Sequence, residues 1–129
     1  MKLSTYATIL AIIAIFYGLA LLIMPGKFLE NYGVIANDAT VIMSRFFGSA
    51  MCCNAILFWL HRNVSAEEKS WSALLISSIF FNVINFIIAL MAVTSSMVNS
   101  MGWSTVVLSA LFALASAYYA FKRSPAKQT

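Results

Sequence analysis

The sequence is poor in charge. Of its 129 residues four are acidic and eight are Lys or Arg, so 9% are charged, against about a quarter in a soluble domain. The basic residues are scattered around hydrophobic runs, with no basic stripe and no interleaved aromatics, which excludes nucleic acid as a partner. The single histidine, His61, has no cysteine, carboxylate or second histidine at ligand spacing, so no metal centre is expected. The two cysteines, Cys52 and Cys53, are adjacent. Neighbouring helical side chains point about 100° apart, so they form neither a chelating pair nor a relaxed disulfide. They are read as buried thiols that pack as small hydrophobes. No acid falls inside an apolar run, so a proton-coupled carboxylate relay lacks a carrier. Glycine-rich phosphate loops and spacings of a Ser-His-Asp type are missing, and the seven methionines are dispersed as packing residues are. These absences imply no cofactor and point away from an enzyme.

What the chain has instead is apolar length. Hydrophobic residues make up 62%, and the mean hydropathy is +0.89. Runs of this kind cover 5–24, 41–61, 71–94 and 103–121, each long enough to cross a bilayer. The expected fold is all-α: a single domain over 1–129 built as an up-down antiparallel four-helix transmembrane bundle, with a basic cytoplasmic tail at 122–129. The first run is longer than a signal-peptide core and no A-x-A site follows it, so it is read as a retained helix. Ala7, Ala11, Ala14 and Gly18 recur along it at helical spacing and make a close-approach face. Ser109, Ala113, Ser116 and Ala120 do the same in the last run.

Pro25 and Gly26 end the first helix. The segment 27–40 is too polar to cross; Phe28, Leu29 and Tyr32 share a face, which predicts a short interfacial helix capped near Gly33. Asn37 and Asp38 offer capping oxygens to the next helix. Ser65 and Glu68 have the form of a capping box, so the third spanning helix is expected to begin there. Lys2, Arg62, Lys69, Lys122, Arg123 and Lys127 fall on one side, against Lys27 on the other, which puts both termini in the cytoplasm. Trp59, Trp71, Tyr118 and Tyr119 are then an inner aromatic belt, with Tyr32 and Trp103 at the outer boundary.

Arg45 is the only charge placed inside a span. Five residues into its helix, it lies about 7–8 Å below the outer boundary. Two readings compete. It is either a structural arginine held by Glu30, Asp38 or lipid phosphate, or an anchor for an anionic ligand, with Tyr32, Gly48 and Ser49 as its neighbours at the site. A second polar set consists of Asn54, Ser78, Asn82 and Asn85. An Asn54–Asn82 hydrogen bond between helices is geometrically allowed, and such glue is worth about 0.6 kcal/mol on average. The competing reading is a lined path for solute.

The first helix ending G-L-A-L-L-I-M-P, the loop with Pro25, Leu29 and Tyr32 to Val34, and R-F-F-G opening the second helix resemble small bacterial four-helix membrane proteins of the domain-of-unknown-function type. More distantly the chain is similar to the DoxX-like group, which has an arginine–glycine pair early in a helix. That resemblance implies a bacterial inner-membrane location and redox or quinone-linked membrane partners. The small multidrug exporters share the length, but their first-helix glutamate is missing here. Two functional classes follow. One is a non-catalytic bundle that binds a lipid-like or anionic ligand or serves as an accessory subunit of a membrane complex. The other is a small-solute transporter or channel formed as a homo-oligomer.

Overall fold

In the computed structural model, which describes residues 2–122, the chain folds into α1 (Leu3–Ile23), α2 (Pro25–Asn31), α3 (Asp38–His61), α4 (Ser70–Thr94) and α5 (Gly102–Lys122), with no strand among the described residues. The four long helices have 21, 24, 25 and 21 residues and are apolar enough to span a bilayer. At about 1.5 Å per residue each exceeds the roughly 30 Å hydrocarbon core. Large side chains stand outward all round the bundle, among them Phe16 at 73% exposure. Lipid contact accounts for that surface; water would not tolerate it. The protein is an all-α transmembrane four-helix bundle.

The ends of the elements follow local chemistry. α1 stops at Ile23, and Pro25 opens α2 instead of merely ending α1, because its missing N–H is no loss in a first turn. α2 closes on Gly33, whose φ of 73° is costly for residues with a Cβ. The Gly33 N–H donates to the Glu30 carbonyl at 2.9 Å and that of Val34 to Leu29 at 3.0 Å, a Schellman closure. Asn37 caps α3: its Oδ1 accepts from the Thr40 N–H and Thr40 Oγ1 accepts from the Asn37 N–H, both at 2.9 Å. The box expected at Ser65 is not a helix start. The Glu68 N–H donates to the Ser65 carbonyl at 3.1 Å, making a turn, and α4 begins only at Ser70.

The bundle is two antiparallel pairs, α1 with α3 and α4 with α5. Within lipid there is little hydrophobic drive between helices, so the pairs depend on close van der Waals packing and interhelical hydrogen bonds. The expected small-residue face of α1 is buried, and Gly18 meets Gly48 across the α1–α3 contact. A Cβ added at Gly48 would stand 2.8 Å from the Gly18 carbonyl oxygen. Along α4–α5 the Ser116 hydroxyl donates to Ser78 Oγ at 2.9 Å.

The two pairs join at the end that carries the chain termini. There Tyr6 packs edge-on to Phe58 at 6.2 Å and against Tyr119 at 5.1 Å. Trp71 is buried, stands edge-on to His61 at 5.6 Å and donates its Nε1–H to the Val64 carbonyl at 3.3 Å. Trp71 and Tyr119 are therefore core residues and not members of an interfacial belt. Trp59 and Tyr118 stay exposed, each beneath a cation, Arg62 at 3.6 Å and Lys122 at 5.6 Å. Beyond Lys122 the expected basic tail lies outside the described residues. At the opposite end Asn99 ties the pairs together, donating its N–H to the Tyr32 carbonyl at 2.8 Å and its Nδ2–H to that of Asn31 at 2.9 Å.

Candidate functional site

Between the packed end and the Asn99 tie, the two helix pairs enclose a cavity of about 480 Å³. All five helices contribute to its wall. Phe47 of α3 and Phe81 of α4 stack across it at 6.1 Å. Phe28 and Tyr32 stack at 5.3 Å, and Tyr17 stands edge-on to Phe28 at 5.7 Å, forming an aromatic roof. The Tyr32 hydroxyl is held by Thr105 Oγ1 at 3.1 Å, so α2 and its following turn are pinned to α5. Two lining residues are largely exposed, Met43 at 66% and Ile88 at 59%. They mark an opening sideways between α3 and α4, towards lipid.

The floor is a buried polar chain. Asn82 donates from Nδ2 to the Ser78 carbonyl at 2.8 Å and to Ser78 Oγ at 3.3 Å. Ser78 also accepts from Ser116, whose Oγ is in a short hydrogen bond with the Tyr6 hydroxyl. This chain links α1, α4 and α5 and satisfies groups that would otherwise be orphaned in a medium without water. Above it the cavity is lined by apolar side chains, with Asn82, Asn85, Ser109, Ser44 and Thr105 among its polar members. No Lys, Arg, Asp, Glu or His is among the described residues that line it. Nor do the described residues hold any cluster of three or more His, Cys, Asp or Glu suited to a metal ion.

The expected site residues divide. Tyr32, Asn82 and Asn85 line the cavity, and Ser78 lies just beneath it. Arg45 and Ser49 are exposed on α3 and do not contribute to the wall. Arg45 makes no ion pair with Glu30 or Asp38 and no hydrogen bond among the described residues. α3 begins at Asp38, three residues earlier than expected from the apolar run, and Arg45 sits about 10 Å along it. Ser49 spends its hydroxyl on the Phe46 carbonyl of its own helix at 2.9 Å. Gly48 serves the α1–α3 contact. The Asn54–Asn82 bond is not formed: α3 packs on α1 and α4 on α5, and the Asn82 NH₂ is spent on Ser78 of its own helix. Ser44, Thr105 and the Phe47–Phe81 pair, absent from the expected set, complete the wall. Hydroxyls at these spacings carry no signal of their own until the helix pairing is known. In comparisons with protein-family models, curated proteins and solved structures, nothing matches the chain.

Proposed function

We propose that this membrane protein is a non-catalytic binder of a neutral, lipid-like molecule, held between its two helix pairs. The observation that carries this reading is the cavity itself: about 480 Å³, within the range of small-molecule sites, largely apolar, with a few polar groups. Its side opening between Met43 and Ile88 gives a route for a molecule dissolved in the bilayer. A neutral ligand fits better than an anionic one, because Arg45 is not part of the wall. With the Lys and Arg excess at the termini end, the positive-inside rule sets that closed end in the cytoplasm, so the cavity faces the outer leaflet, in a bacterial inner membrane. A pore between copies is less favoured, since Ser78 and Asn82 are buried within one chain.

Native mass spectrometry after gentle extraction tests this. The wild type should carry a neutral lipid of defined mass. Ala89→Trp, which places an indole in the cavity, should remain folded and lose it. A bare wild type, or an Ala89→Trp variant carrying the same lipid, would overturn the proposal.

A further inference from the structure

Resting on that lipid-binding reading, we infer that the cavity selects a ligand with a hydroxyl headgroup, a long-chain lipid alcohol, over an otherwise equal lipid that can only accept hydrogen bonds. The inference comes from which polar atoms are left over. Asn82 and Asn85 both place an amide atom 2.8 Å from a backbone carbonyl four residues back, at Ser78 and Phe81. A carbonyl can only accept, so that atom must be the NH₂ nitrogen in each case. The orientation of both amides is thereby settled, and each leaves its Oδ1 as the spare group. Neither Oδ1 has a hydrogen-bond partner among the described residues, and Asn82 is only 7% exposed.

Ser109 provides the complement. It lines the same cavity, is 6% exposed, and its hydroxyl makes no hydrogen bond among the described residues. The register of α4 and α5 brings it level with Asn85. Ser78 contacts Ser116, and a Cβ on Gly102 would meet Val93. Seven residues on from Ser78 is Asn85, and seven back from Ser116 is Ser109. About two helical turns above the polar floor, an acceptor from α4 and a hydroxyl from α5 therefore lie at one height. A ligand hydroxyl can donate to an asparagine oxygen and accept from Ser109 at once. An ester or ether oxygen can only accept, and would leave unpaired the asparagine oxygen that the hydroxyl satisfies. That is the asymmetry by which buried polar groups reject analogues that lack a hydrogen.

The test compares hexadecanol with its methyl ether, which keeps the chain and the acceptor and loses only the donor. Each is titrated onto the full-length protein in lipid nanodiscs and binding is read by native mass spectrometry. The alcohol should bind about tenfold or more tightly than the ether, the effect of one unmade buried hydrogen bond. Asn85→Leu should narrow that ratio, whereas Ser109→Ala, which removes a donor that either oxygen can accept from, should weaken both probes and leave the ratio unchanged. Equal binding of the two probes to the wild type would overturn hydroxyl selection while leaving lipid uptake intact. Binding of neither would overturn both.

Discussion

Gly48→Ala tests the part of the fold on which the cavity depends. The methyl it adds would lie 2.8 Å from the Gly18 carbonyl oxygen and 2.9 Å from Leu21 Cβ. Neither atom is the far end of a flexible side chain, so no rotamer change relieves the contact. α1 and α3 would have to separate by about 0.6 Å, the difference between 2.8 Å and an ordinary 3.4 Å contact. A gap of that order forfeits roughly a quarter or more of the dispersion energy of each contact along the seam. Overpacking of this type costs about 1–3 kcal/mol. Gaining alanine in a helix returns up to about 1 kcal/mol, so the net expectation is a loss of up to about 2 kcal/mol. Gly26→Ala is the control. It gains the same helical preference in α2 and meets nothing nearer than Ala36 Cβ at 3.9 Å. Reversible unfolding by sodium dodecyl sulfate titration, followed by far-ultraviolet circular dichroism, reads both. Gly48→Ala should fall below the wild type and Gly26→Ala should equal or exceed it. Equal stability of Gly48→Ala and Gly26→Ala would refute the close backbone contact.

Ser116→Ala removes the hydroxyl that joins Tyr6 to Ser78 and leaves the buried shape nearly unchanged. Hydrogen bonds between helices in lipid average about 0.6 kcal/mol and reach about 1.7. With two broken, a loss of about 1 kcal/mol is expected in the same titration, and unchanged stability would show the network to be idle. Arg45→Ala should shift stability by no more than about 0.5 kcal/mol, because the guanidinium has no partner among the described residues. A loss of several kcal/mol in thermal unfolding would reveal a contact to Glu30 or Asp38 that this structure lacks.

Much of the fold was legible from length and residue size. The four apolar runs became helices with ends moved by at most three residues, the alanine–glycine face of α1 is buried as expected, and Gly33 and Asn37 cap where their chemistry suits them. Other expectations failed for physical reasons. Tyr and Trp suit both a lipid–water boundary and a buried site that offers one hydrogen bond, so composition alone could not separate Trp59 from Trp71. A Ser-x-x-Glu sequence closes a turn as well as a helix, and at Ser65 the turn prevails. The asparagines were expected to bridge helices, yet a short polar side chain in a helix always has its own carbonyl four residues back within reach. Charge in a span is rare, but rarity does not say which way a side chain points, and Arg45 stands exposed outside the cavity wall.

The cavity arises from a gradient of side-chain size that shows only after the helices are paired. At the termini end the facing positions carry Tyr6, Phe58, Trp71 and Tyr119, rings large enough to fill the space between the two pairs. Towards the opposite end the wall on α4 carries Ala89 and Ala92. The backbones cannot close on these small residues. Asn99 holds the turn between α4 and α5 against the end of α2, and Tyr32 is bonded to Thr105, so the spacing is set at the rim. Within each pair, small residues draw the helices together; between the pairs, held apart at both ends, they leave a void. The same residue types thus make a seam in one place and line a cavity in another.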